Sequence, residues 1–287
     1  DMVDQFQDMV DCWEGCLRAT GGGIKPSKSF WYLMDHRWTG TKWVYLTKEE
    51  APGEISIRDP NGEERVPLQR FEPHESQLTL GVQLAMDGNQ KGEVEYLRQQ
   101  AEEWADRYRN AGGLDKNDAW EGILTQIMST FKYPAAATQM TEAEWTYLCA
   151  PVFALGLPKA GISRMFPHVV LFGPQLFQGM GVMHPFHFQE LEHLAIIVKH
   201  CTDETLTGQL ILQSMEALRL ELGLPGSFTD WNYELFGKCV TNCWLKTVWK
   251  YCRNHGITIE DRHPNIERSR KQDQFLMQAF YQHKYSR

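Results

Sequence analysis

The stretch RATGGGIKPSKSFWYLM, residues 18–34, decides how this chain is read, together with SQLTLGVQLAMDG at residues 76–88. In the first, a helical pattern runs into Gly21-Gly22-Gly23, a Lys25-Pro26-Ser27-Lys28 turn follows, and an apolar aromatic run leaves it. Three glycines stop a helix because they take up left-handed or extended backbone that other residues resist. Gly22, Gly23 and Lys25 could cradle a phosphate. The spacing, however, is neither the Gly-x4-Gly-Lys-Ser/Thr of a P-loop nor a dinucleotide fingerprint. Taken by itself, the stretch is a helix end followed by a surface turn. In the second stretch, Leu78, Leu80, Val82, Leu84 and Met86 alternate with Gln77, Thr79, Gly81, Gln83 and Ala85. Period two over ten residues predicts one half-buried strand, with Gly81 at the centre of its polar face.

Upstream, Met2, Phe6, Met9, Val10, Trp13, Cys16 and Leu17 fall at helical spacing between aspartates, which predicts an amphipathic helix over 2–19. Downstream, Phe30–Arg37 and Lys42–Thr47 read as one hairpin turning at Thr39-Gly40-Thr41. EISIRD and ERVPLQ read as a second, turning at Asp59-Pro60-Asn61-Gly62, with Pro67 marking an edge strand. After Gly88 the pattern becomes helical. Val94, Leu97, Ala101, Trp104, Ala105 and Tyr108 make one stripe, and Ala119 to Phe131 make the next, opened by Asp115 and Asp118. Thr141-x-x-Glu144 is a capping box for a helix expected to end before Pro151. Residues 155–185 are rich in Gly and Pro, and helices are expected again at about 187–201, 205–222, 231–254 and 265–283.

The 287 residues, 42% apolar and 23% charged, fit a soluble globular protein with a buried core. No run reaches the ~20 apolar residues of a membrane-spanning helix. The acidic start is neither a secretory signal nor a transit peptide, and Asp1 already lies in a helical pattern, so the chain reads as a piece of something longer. Seven cysteines scattered through helical runs point to reduced thiols in an intracellular protein, nuclear or cytoplasmic and not secreted. A net charge of −8 counts against a simple nucleic-acid binder. Residues 241–287 nevertheless hold nine Lys or Arg against four Asp or Glu.

Several conventional sites find no support. His184, His187, His193 and His200 lack a carboxylate or cysteine at a known metal spacing. Cys12/Cys16 and Cys239/Cys243 are i, i+4 pairs on apolar helix faces and read as core, as do Trp13, Trp104, Trp120, Trp244 and Trp249. There is no Gly-x-Ser-x-Gly nucleophile elbow and no adjacent Asp-Asp pair.

Taken in order, these elements resemble the second half of a reverse transcriptase palm and its thumb. Gly21-x-x-Ile24-x-Pro26-x-Lys28-Ser29 is similar to motif D of that family, and Leu80-Gly81-Val82 to motif E, the primer grip. WEGCLRATGGGIKPSKSFWYL, the ISIRD hairpin and LGVQLAMDG look like reverse-transcriptase-like reading frames of retroelements in diatoms and similar microbial eukaryotes. LPKAGISRMFP and GPQLFQGMGV look like the region after the thumb in non-LTR-type elements. The likeness covers about residues 1–222.

It implies an α+β fold: a partial palm of one helix and antiparallel strands at 1–88, a helical thumb at 89–156, and a helical connection and C-terminal region at 157–287. It implies a catalytic role for Lys28 beside the incoming nucleotide's phosphates. Leu80, Gly81 and Val82 would meet the primer, and Arg98, Arg107 and Arg109 the nucleic-acid phosphates. The partners implied are RNA template with DNA primer and the upstream palm and fingers. The complete polymerase would use Mg, but this chain, without the paired aspartates, would carry no cofactor and be catalytically incomplete. The alternative is a domesticated, non-catalytic scaffold that binds nucleic acid or protein.

Overall fold

The chain mixes many helices with short strand pairs, an α+β combination. The computed structural model describes residues 2–59, 64–201, 205–224 and 226–259. The expected turn at 59–62 falls largely outside these residues, and the expected helix at 265–283 falls wholly outside them. Two compact units divide the chain, Asp1–Gln99 and Gln100–Arg287.

The first unit opens with α1 (Met2–Ala19). Its end is a Schellman cap: Gly21, at φ +79, donates its N–H to the Arg18 carbonyl, and Gly22 donates to Leu17. The helix packs on β4 (Ser56–Arg58) through its polar side rather than its apolar one. Gln7 bonds both ways to Ser56, accepting its N–H at 2.8 Å and donating to its carbonyl at 2.9 Å. Buried Glu14 accepts the Arg58 N–H at 2.9 Å and pairs with Arg18. Much of the apolar stripe is therefore turned outward: Met2, Met9 and Trp13 are exposed, and so are Cys12 and Cys16, while Phe6 at its edge meets the Trp31 ring at 6.2 Å and Val10 and Leu17 are half-buried. This corrects the expectation that Trp13 and the cysteine pair are core. Amphipathicity shows that a helix has two sides, and it does not say which one this unit covers.

The remaining strands are β1 (Phe30–Tyr32), β2 (His36–Trp38), β3 (Trp43–Tyr45), β5 (Arg65–Pro67), β6 (Gln69–Phe71), β7 (Gln77–Thr79) and β8 (Val82–Leu84). With β4 they form, among the described residues, four separate two-stranded pairs. The expected first hairpin is shorter than its sequence pattern. Only β2 and β3 pair antiparallel, with Trp38 opposite Trp43 and their rings 5.5 Å apart. β1 leaves that hairpin and runs parallel to β6, so the strands are not all antiparallel. Rings drive the exchange: Phe30, Tyr32 and Phe71 meet edge-on or tilted at about 6 Å. Buried Trp31 lies under the Arg70 guanidinium and donates its indole N–H to the Leu68 carbonyl. β4 and β5 form the second hairpin as expected, with Pro67 opposite Ser56.

The single strand expected at 77–86 is in fact a hairpin. Leu80 and Gly81 have φ of +50 and +85 and form a two-residue turn between β7 and β8. Thr79 stands opposite Val82 and Gln77 opposite Leu84, so these four share a face, and Leu78 falls on the other with Gln83. The fold thereby separates the leucines that alternation had placed together.

Helix α2 (Lys91–Asn110) carries the chain out of the first unit. In the second, Asp115 caps α3 (Lys116–Glu121) by accepting the Asn117 N–H. A π-helical turn, Gly122–Ile127, joins α3 to α4 (Met128–Lys132). The Thr141/Glu144 capping box opens α5 (Glu142–Lys159), which runs through Pro151 and Pro158 instead of stopping before the first. α6 (His168–Leu171), α7 (Pro185–His200) and α8 (Leu206–Leu222) follow. The helix expected at 231–254 is broken into α9 (Tyr233–Phe236) and α10 (Trp244–His255). Trp249 is fully buried in a core with Leu218, Leu222, Phe228 and Leu245, whereas Cys239 is exposed. α7 packs on α4, α5, α8 and α10, and its Gln189 is the polar centre of the unit. The Gln189 amide accepts from the Met140 N–H and the Trp145 indole, and donates to the Met140 carbonyl and to Glu190.

Candidate nucleic-acid interface

The residues singled out by sequence lie on three features, two in the first unit and one on α2. The first is the Gly-rich turn. After the cap, Pro26–Lys28 form one 3-10 turn, closed by Ser29 N–H and hydroxyl bonds to the Pro26 and Lys25 carbonyls. An open cleft of about 620 Å³ sits beside it, lined by Lys25, Pro26, Ser27 and Ser29 with Asp59, Val66, Pro67 and Gln69. Lys25 thus faces the cleft, while Lys28, exposed on the same turn, does not line it. Gly22 drops out as a phosphate ligand, because its N–H is already spent on the Leu17 carbonyl that ends α1. Gly23 is exposed.

The second feature is the β7–β8 turn. Leu80 is 88% exposed although its backbone is left-handed, a conformation that costs a non-glycine residue about 1–2 kcal/mol. Val82 beside it is buried. Sequence reasoning missed the residue that braces this hairpin. Glu93 on α2 is buried, and its carboxylate accepts the Gln83 N–H at 2.6 Å. Burial pushes its pKa up. Gly92 is the signal that could have pointed there: a side chain at that position would collide with Ser76, so α2 starts tight against β7.

The third is the arginine set of α2. At 100° per residue Arg98 and Arg109 share a side and Arg107 falls opposite, so the three do not form one stripe. Arg98 is half-buried. Arg107 stacks at 4.8 Å on Trp104 and lines a cavity of about 240 Å³ with Asp118. Arg109 is exposed and pairs with Asp106 at 2.7 Å. An ion pair that neutralises an exposed guanidinium weakens it as a phosphate contact.

Magnesium, which the resemblance implies for a complete polymerase, needs at least two converging carboxylates to support nucleotidyl transfer. Among the described residues no three His, Cys, Asp or Glu side chains converge, and the Lys25 cleft offers Asp59 alone. The lining of that cleft does not fit the metal. Among the described residues no helix is long and apolar enough to cross a membrane. No family model, no curated protein and no solved structure matches this chain.

Proposed function

We propose that this chain is the primer-gripping and thumb part of an RNA-directed DNA polymerase of a retroelement, binding RNA template with DNA primer and catalytically incomplete alone. One observation carries the reading. Leu80 presents an almost fully exposed apolar side chain at the tip of a braced hairpin, on the left-handed backbone that a two-residue turn requires. Where asparagine or glycine would suit that turn better, a leucine held out to solvent points to contact with something outside. Beside it Gly81, lacking a side chain, would let a sugar-phosphate backbone approach closely. The Lys25–Lys28 turn in the same unit supplies cations, and Lys28 is exposed, so its ammonium could meet a nucleotide phosphate.

The test separates stability from binding. Leu80→Asn is expected to stabilise the first unit by up to about 1 kcal/mol, since asparagine tolerates left-handed backbone. The same change is expected to weaken primer–template binding about fivefold, the loss of one apolar contact. Unchanged affinity would remove the tip from the interface. Binding of a blunt RNA–DNA hybrid should also fall steeply between low and physiological salt. Salt-insensitive binding, or none at low salt, would sink the thumb assignment. With the upstream palm restored, Lys28→Ala should slow nucleotide incorporation in single turnovers.

The outward stripe of α1 favours a second reading, a protein-interaction scaffold. The encoding frame discriminates: an upstream Tyr-x-Asp-Asp supports the polymerase, and a start codon beside residue 1 supports the scaffold.

A further inference from the structure

A cavity of about 310 Å³ lies in the second unit, beside α5 and the Arg164–Phe172 segment. That volume is at the lower end for ligand sites and suits one small flat molecule. Its walls are rings set edge to face. Phe172 stands 5.9 Å from Phe153, 4.7 Å from His184 and 5.6 Å from His168. Arg164, exposed at the cavity, has no ion-pair partner among the described residues. No Asp or Glu lines the cavity, in a chain of net charge −8. A cationic ligand would therefore meet only an arginine and imidazoles, whereas an anionic one would be matched.

His184 narrows the choice. Its Nδ1 accepts the Phe186 N–H at 3.2 Å, which leaves the ring proton on Nε2. Burial, with His187 and His168 nearby, holds this imidazole neutral by pulling its pKa down to about 4. A neutral N–H donor in an aromatic wall calls for a flat ring with its own acceptor atoms, which a phenyl side chain lacks. Covalent chemistry is not at issue, because burial pushes the Cys149 thiol up to about 12.

We propose that this cavity binds one nucleoside monophosphate unit, its base among Phe153, Phe172 and His184 and its phosphate on Arg164. The unit can be a free nucleotide or the unpaired end of a strand. The inference goes beyond the polymerase reading and does not depend on it.

Calorimetric titration of the full chain tests it, with adenosine 5′-monophosphate, adenosine and ribose 5-phosphate as probes. A short oligothymidine with an intact or an abasic end forms the second arm. The monophosphate, or the intact strand, should bind at least about tenfold more tightly than its base-free counterpart, as base stacking implies. Ala154→Leu, from an exposed position on α5 at the cavity wall, should weaken that binding at least about tenfold by filling the space. Arg164→Ala should weaken the phosphate-bearing probes and leave adenosine unchanged. Binding of the monophosphate identifies a free nucleotide as the source, and dependence on the strand's end base alone identifies nucleic acid. Equal binding with and without the base, no binding in either arm, or full binding by an Ala154→Leu protein with native circular dichroism would overturn it. A blunt hybrid has no unpaired end, so its binding reports on the hairpin tip and not on this cavity.

Discussion

Gln189→Leu is expected to destabilise the second unit by about 4 kcal/mol, on the order of a thousandfold in its folding equilibrium. The side chain is fully buried, and it serves the Met140 N–H and carbonyl and the Trp145 indole at 2.9–3.0 Å. Leucine fills comparable space but leaves those three groups without a partner in a site that water does not reach. Each such orphan costs about 1–3 kcal/mol, whereas the bond itself contributes only about 1. Trp145 and Phe131 pack at 6.3 Å on one side of the amide, and α7 joins α4, α5, α8 and α10. The loss should therefore spread through the unit. Urea unfolding followed at the helical circular dichroism band would measure it. A fall below about 1 kcal/mol would mean that the network relaxes around leucine and that Gln189 is not its centre.

The next residue carries the second large effect. Glu190 is fully buried, and one carboxylate oxygen accepts from Gln189 at 3.1 Å while the other has no hydrogen-bond partner among the described residues. Tyr251 and Cys252 of α10 feel its charge, and burial raises its pKa to about 6. The native state thus holds this proton more tightly than the unfolded chain does. The contribution to stability is complete below the ordinary carboxylate value of 4.5 and is lost as pH rises through about 6. Glu190→Gln should accordingly match the parent protein near pH 4.5 and exceed it by about 2 kcal/mol at pH 7. His193, one turn on, works in the opposite sense. Burial lowers it to about 4, so its contribution is present above 6.5 and lost as pH falls through 4. The variant should therefore show a steeper rise of stability with pH between 4 and 6.5 than the parent. Parallel stability curves for the two proteins would refute the buried-carboxyl account.

Local chemistry that involves only near neighbours was legible in the sequence. The Thr141/Glu144 capping box, the Asp115 cap, the glycine end of α1 and the Ile57–Val66 hairpin all stand where composition placed them. Readings that depend on a distant surface were not. Alternation across residues 77–86 is satisfied equally by one strand and by two strands with a two-residue turn. Only the left-handed backbone at Leu80 and Gly81 tells them apart. Pro151 did not end α5 because Trp145, Leu148, Cys149, Val152 and Phe153 bury the helix on both sides of it, and that burial outweighs a lost backbone bond. Of the candidate residues, Lys25, Leu80 and Gly81 were legible in the sequence. Glu93 was not, since a glutamate in a helix sequence looks the same whether it faces water or braces a hairpin.

The inverted seating of α1 also makes the chain its own sensor. Cys16 continues the row of Met2, Phe6, Met9 and Trp13, and its thiol is open to reagents, as is that of Cys12 on the same helix. A maleimide dye should therefore label both thiols readily when the chain is alone. It should slow once anything settles on the row, with Cys239 as the exposed reference in the other unit. Labelling ratios, read by mass spectrometry, would follow occupancy of that helix without a mutation or a tag.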